Sequence, residues 1–515
     1  MVVNKSYSSD SDGDLEMCAN HSKVDKGSYG YEEALDLAGN GKYNILLLLA
    51  CFLVITAMGI DIFGLGIIVA AATCDLGLTL QQIGILSSMS FAGIIVMSYP
   101  WGYLSDTRGR KLVLLVAMVG SFVSAALSSL APSWQLLAAL RFISSALSSA
   151  AESATYALLG ECCGARVRAR YMLLVTSALM LTPTLYYIWA YLIMKLDFSY
   201  PFLWLEFRPW RLLTLVMALP LGLGAVALWR FCESPKFLIN VGRSSEAVDA
   251  LARIYRVNGG KGEFPVKEVY LEEGNKEEVG VFSLRSLWTQ IAPLFQPPLL
   301  GRTLLLFYLT FVVYIANNSF AIILPTIFNV FFTSYASSGA GVGFCDLFAM
   351  AKQENSTIVQ DADTVCANSI NDNTIWAGCA HGLSFFVLNA LISQCAGKRK
   401  LLTIVILVIA AAAAVGIDLT GEPLSGLVLF YVFLTTAMVF GVISSYFVTL
   451  YPTSYRGMVA CLGMMVARLS AFSGTNIISG AMTQHCSTAL YGASGLVITG
   501  AIAAALLPGD SLQAG

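Results

Sequence analysis

A helix needs about 20 mostly apolar residues to cross a bilayer core. This sequence holds twelve stretches of that kind, at 44–72, 81–104, 112–131, 134–160, 171–195, 210–232, 299–330, 375–396, 401–418, 424–450, 458–481 and 487–507. None alternates in the short beat of a membrane barrel, and helices satisfy their own backbone in lipid. The expectation is an all-α membrane protein of twelve transmembrane helices. Composition agrees: 57% of the 515 residues are hydrophobic and 12% charged, against roughly 25% charged in soluble proteins. Lys+Arg (30) nearly cancels Asp+Glu (32), so there is no basic field for nucleic acid. Three histidines without clustered cysteine ligands predict no metal centre. The absence of a G-x-x-x-x-G-K-[ST] run predicts no nucleotide-driven step. With no nucleophile–base pairing in view, an enzyme is not expected, nor is any cofactor.

Basic residues orient the spans. Arg108, Arg110 and Lys111, then Arg166, Arg168 and Arg170, then Lys398, Arg399 and Lys400 fall in loops on one side. Loops 73–80, 132–133, 419–423 and 482–486 carry no Lys or Arg. Both termini are therefore expected in the cytosol. The domain reading is a disordered cytosolic tail at 1–42, a six-helix bundle at 43–232, a charged cytosolic middle loop at 233–298, a second six-helix bundle at 299–508 with an outer loop at 331–374, and a short cytosolic tail at 509–515. The outer loop carries the glycosylation sequon Asn355-Ser356-Thr357. Cys345 and Cys366 share that loop and are disulfide candidates; Cys74, Cys379 and Cys486 also fall near that surface.

Two halves joined by a long loop point to a secondary transporter. Between spans two and three stands Gly102-Tyr103-Leu104-Ser105-Asp106-Thr107-Arg108-Gly109-Arg110-Lys111. Its glycines permit a tight turn, and Asp106 beside clustered cations can make charge-assisted bonds between helix ends. This run resembles the signature loop of the major facilitator superfamily. Glu233-Ser234-Pro235-Lys236-Phe237-Leu238, followed by Gly242-Arg243 and Glu246-Ala247, resembles a segment of its sugar-porter, organic-ion and synaptic-vesicle branch. Tyr31-Glu32-Glu33-Ala34-Leu35, Cys74-Asp75-Leu76 and Trp210-Arg211 resemble the synaptic vesicle glycoprotein 2 and SVOP-like group. The resemblance implies the major facilitator fold, two six-helix bundles around a cavity, working as a monomer. It implies a cytoplasmic ion-pair network of Asp106, Arg110, Glu161, Arg168, Glu233 and Arg456. In the second half Gln394 stands where the matching loop carries an acid, which implies a weaker lock there. It also places the chain in the plasma membrane or a secretory or synaptic-type vesicle.

A charge at mid-membrane costs about 2.5–3.5 kcal/mol on insertion scales, so each needs a reason. Asp61 in the first span is read either as a cation or proton carrier or as half of a structural ion pair. Arg141, Ser145, Ser148 and Glu152 share one face of span four; Arg141 is a coupling candidate and Glu152 is expected in the inner network. Phe307, Phe311, Tyr314 and Asn318, with Asn317 alongside, line span seven. His381 of span eight adds a further polar group among aromatics, and Arg468 of span eleven has no partner in view. Such aromatic walls with a few hydrogen-bonding groups suit a small organic solute or a sugar ring, while the same stripe also serves ordinary packing. The expected function is movement of a small solute, an organic ion or sugar-like molecule, with a proton as the coupling ion. The alternative is a binding or regulatory membrane protein that keeps the fold without transporting.

Overall fold

The computed structural model describes residues 28–202, 205–271, 291–338, 343–347, 371–394, 399–451 and 453–508. Asn355 and Cys366 lie outside them, as do the side chains of Arg456 and Gln394. Each of the twelve predicted stretches is helical. In the first half these are α2 (Lys42–Phe63) with α3 (Leu65–Ala72), α4 (Leu80–Arg108), α5 (Arg110–Ser128), α6 (Trp134–Ser148) with α7 (Ala150–Cys162), α8 (Ala165–Met194) and α9 (Pro209–Trp229), all following a short α1 (Tyr31–Ala38). Among the described residues, nine helices of the chain are long and apolar enough to cross a membrane.

The charged segment after the first half folds as α10 (Pro235–Asn240) and α11 (Ser244–Val257). The second half runs α12 (Leu300–Ser338), α13 (Asp372–Gln394), α14 (Arg399–Leu419), α15 (Pro423–Leu434) with α16 (Ala437–Thr449), α17 (Thr453–Gln484) and α18 (Cys486–Ala505).

Local chemistry sets several boundaries. Thr79 accepts from the Gln82 amide and Gln82 returns a bond to the Thr79 amide, a capping box that starts α4. Prolines open α9 and α15 at positions where the missing N–H costs nothing. The predicted loop between spans two and three contracts to one residue. α4 runs to Arg108 and α5 begins at Arg110, with Gly109 between them at φ +109°. Its partner Gly102 sits inside α4 with open space around its Cα, so only the second glycine of the motif is required by the geometry. α12 likewise continues to Ser338, two turns beyond the predicted end of its span.

The tail is where the domain reading needs correction. Residues 28–38 are folded, not disordered: β1 (Ser28–Gly30) pairs in parallel with β2 (Glu268–Tyr270) of the middle segment. Tyr31, Ala34, Leu35 and Ala38 of α1 are buried. They meet the apolar face of α11 at Leu251 and Ile254, while Ala247 and Ala250 of α11 pack with Phe237 and Leu238 of α10. Asn258 fastens the junction. Its amide donates to the carbonyls of Ala38 and Gly39 and to Asn44, and its oxygen accepts from the Tyr43 backbone.

The disulfide expectation also changes. Cys345 is bonded to Cys486 at the start of α18, a residue 141 positions away rather than one in its own loop. At the same end of the molecule Asp75 accepts from the Trp210 indole at 2.9 Å and pairs with Arg208 at 2.8 Å and Arg211 at 3.7 Å. Arg211 also donates to the carbonyls of Ser129 and Ala131. The Cys-Asp-Leu and Trp-Arg pairs of the sequence are thus two sides of one clamp.

The two halves make close contacts toward this end, opposite Arg108–Lys111. A Cβ on Gly66 of α3 would lie 2.1 Å from the Ile322 carbonyl of α12. One on Gly378 of α13 would strike the Tyr187 ring of α8 at 2.1 Å, and one on Gly84 would meet Ser479. Small residues let helix backbones come this close. Tyr191 packs on Trp376 with ring centroids 5.2 Å apart, and Lys195 pairs with Asp372 at 3.5 Å.

Candidate functional site

Two ion pairs occupy the helical core. The first lies wholly within the first half. Arg141 of α6 donates through Nη1 to Oδ1 of Asp61 at 3.1 Å. Ser144 donates to the same oxygen at 2.8 Å and Ser148 to Oδ2 at 3.0 Å. Both charged residues are about 2% exposed. A desolvated carboxylate persists as a charge only when cations and hydroxyls surround it this way. Nε and Nη2 of Arg141 have no hydrogen-bond partner among the described residues. The sequence therefore placed Arg141 and Ser148 on the right face. Ser145, expected beside them, instead donates back to the Arg141 carbonyl, and Ser144 takes its place.

The second pair joins the halves. Nη2 of Arg468 in α17 donates to both carboxylate oxygens of Glu152 in α7, each at 2.9 Å. Glu152 had been expected among the gate residues near Arg110. It pairs instead with Arg468, whose guanidinium supplies a buried counter-charge. Tyr314 of α12 lies within electrostatic reach of both charges and packs edge-on to Phe440 at 5.0 Å.

The rest of the predicted aromatic face divides. Phe307 packs between Phe295 and Phe447. Phe311 stacks on Tyr308 at an exposed face, so it belongs to the outer wall of the bundle rather than its interior. Asn317 donates to Asn318 at 2.8 Å, each amide partly answering the other. His381 lies 4.2 Å from Phe385 and 5.7 Å from Tyr431 by ring centroids. Its Nδ1 has no partner among the described residues, while Ser384 and Tyr431 share a hydroxyl contact.

At the basic end, Arg110 is the hub. It pairs with Asp106 and with Glu161, both at 3.2 Å, donates to the Ser105 carbonyl, and lies over the Phe237 ring. Glu161 also accepts from the Ser234 hydroxyl. Glu233 accepts from the amides of Lys111, Leu112 and Ser234, placing a carboxylate on the N-terminus of α5, where the helix dipole favours it. The φ of +109° at position 109 requires glycine, and a Cβ there would also fall 2.5 Å from Oε2 of Glu233. Arg108 is exposed and Lys111 half-buried. Arg168 departs from the expected set: it pairs with Glu32 of α1 at 2.8 Å rather than with Glu161. Tyr31 donates to the Glu161 carbonyl, and burial holds its phenol well above the ordinary tyrosine range. Glu32, Tyr31 and Ser234 were missed as network members, although all three stand inside motifs the sequence made visible.

The model of the Major Facilitator Superfamily matches residues 49–475. Synaptic vesicle glycoprotein 2C of Mus musculus is 26% identical over 238 residues, 44% of this chain and 32% of its own length. Organic cation/carnitine transporter 7 of Arabidopsis thaliana is 28% identical over 228 residues, 44% of this chain and 43% of its own. The aligned part thus spans a third to under half of these relatives. Among solved structures, the partially occluded inward-open conformation of the xylose transporter XylE from E. coli superposes with a TM-score of 0.63 at 15% identity, covering 91% of this chain and all of that one. That likeness is one of fold.

Proposed function

The chain belongs to the Major Facilitator Superfamily, and from that premise we propose that this transporter moves a small organic solute by alternating access between its two six-helix bundles. The observation that carries the reading is the Glu152–Arg468 pair. It joins the halves by a charge-assisted bond that can be broken and remade, while small residues give the close contacts of α3 with α12 and of α8 with α13. The basic end is the cytosolic one under this reading, with both termini there, and the Cys345–Cys486 bond lies on the oxidising side, at a plasma or vesicle membrane. Arg110, Glu161, Glu233 and their partners hold the cytosolic ends of the first-half helices as a rigid unit. Asp61 is the site of the coupling proton, because neutralising it releases the Arg141 guanidinium that its Oδ1 now holds. The protein works as a monomer.

Accessibility labelling tests the cycle. Single cysteines placed at the basic end and at the α8–α13 contact should react in opposition as solute and pH change. A label pattern fixed in one state would favour the second reading, a fold-retaining binding protein, which draws on the Gln394 departure and on the relationship to synaptic vesicle glycoprotein 2C. Asp61→Asn should abolish uptake with membrane expression intact; unchanged uptake would remove Asp61 from the coupling role.

A further inference from the structure

Among the described residues, two ion pairs stand inside the helical core, made by Asp61, Arg141, Glu152 and Arg468. The two pairs are of unlike character. The Asp61–Arg141 pair is closed within one half and about 2% exposed on both sides. The Glu152–Arg468 pair spans both halves, with Arg468 5% and Glu152 29% exposed. Arg468 gives both of its bonds through one nitrogen, and its Nε has no hydrogen-bond partner among the described residues. A buried guanidinium with an unanswered N–H is costly, and an unpaired buried charge costs more. Any movement that separates α7 from α17 leaves both charges without a counter-ion at membrane depth.

We propose that the solute takes over both ends of this bridge and is zwitterionic: its anionic group binds Arg468 while its cationic group binds Glu152. The inference rests on the transport reading above and narrows it to a solute class. A simple cation would answer Glu152 and strand Arg468; a simple anion would do the reverse. A neutral polyol would have to break a charge-assisted bond without replacing it. Only a solute bearing both signs supplies each of the two charges with a counter-ion while the halves separate. Tyr314 lies within electrostatic reach of both charges.

The test is a thermal-shift series on the purified full-length chain. The probes are trimethylammonium carboxylates of graded chain length, tetramethylammonium, acetate and D-xylose. At saturation one or more of the zwitterions should raise the unfolding midpoint by about 2 °C or more, with smaller shifts for the two single-charge probes and the sugar. Glu152→Gln and Arg468→Gln should each lose the shift. The exchanged double variant, Glu152→Arg with Arg468→Glu, should regain it, which separates recognition from simple misfolding. The proposal is overturned if no zwitterion shifts the wild type, if a single-charge probe or D-xylose shifts it as far, or if the shift survives both single substitutions. Labelling at the basic end reports alternation independently. A zwitterion that binds without alternation would sink the transport reading and leave the site, and alternation driven by another solute class would do the opposite.

Discussion

Arg468 and Glu152 are 316 residues apart in sequence and meet through one nitrogen held 2.9 Å from both carboxylate oxygens. Their exposures are unequal, 5% against 29%, and this predicts unequal penalties. Removing the acid strands a buried cation, a loss at the level of about 3 kcal/mol for a broken buried pair. Removing the arginine leaves an anion with partial access to water, at about half that cost. Glu152→Gln should therefore lower the unfolding midpoint of the purified protein more than Arg468→Gln. Equal shifts, or the reverse order, would mean that the bridge is solvated from both sides.

The glycines at the opposite end set a second expectation. Gly66→Ala and Gly378→Ala place a methyl within 2.1 Å of a carbonyl oxygen and a tyrosine ring, overpacking of a kind that costs about 1–3 kcal/mol. The strain is relieved when the halves part, so the closed arrangement should lose population. Cys379, half-buried beside Gly378, is a native reporter: its maleimide reactivity should rise in both variants. Gly480→Ala and Gly441→Ala, each facing open space, should leave it unchanged.

The sequence made the spans legible because lipid demands long apolar runs, and it exposed the Arg141–Ser148 face of span four because polar residues at helical spacing cannot all look at lipid. It did not show Glu152 meeting Arg468 or Cys345 meeting Cys486. Both pairings depend on how separately folded helices dock, which no local spacing encodes. Tyr31 and Glu32 are visible as motif letters, while their partners Glu161 and Arg168 are expected only as members of the basic-end network. Each of those four residues has an acceptable partner within its own neighbourhood, and only the folded tail of α1 decides the pairing.

That tail yields a third prediction. Tyr31 is 4% exposed and bonds the Glu161 carbonyl, so Tyr31→Phe should cost about 1 kcal/mol for the lost hydrogen bond. Tyr31→Ala should cost about 3 kcal/mol or more through the cavity it leaves. Limited proteolysis between Gly259 and Gly262 reads the consequence, since α1 and β1 hold that segment in place. Cleavage should accelerate in Tyr31→Ala and stay close to wild type in Tyr31→Phe. Because burial keeps the phenol protonated well above the usual range, wild-type protection should persist as pH rises past the ordinary tyrosine titration.

The Cys345–Cys486 bond separates the two ends chemically. It ties the segment before α13 to the first residue of α18, at the end remote from Arg108, Arg110 and Lys111, and it closes a loop of about 140 residues. Chain-entropy arguments give such a closure about 4–5 kcal/mol, so Cys486→Ser should lower the unfolding midpoint of the oxidised protein and remove its sensitivity to reductant. The bond also reports topology. In sealed cells or vesicles, a membrane-impermeant phosphine applied to one face should reduce it only from the face opposite the basic loops. An impermeant label applied to a cysteine introduced beside Arg108 should react only from the other. Both reagents acting from the same face would overturn the orientation argued from the basic residues, and with it the assignment of the α1 latch and the Arg110 network to the cytosol.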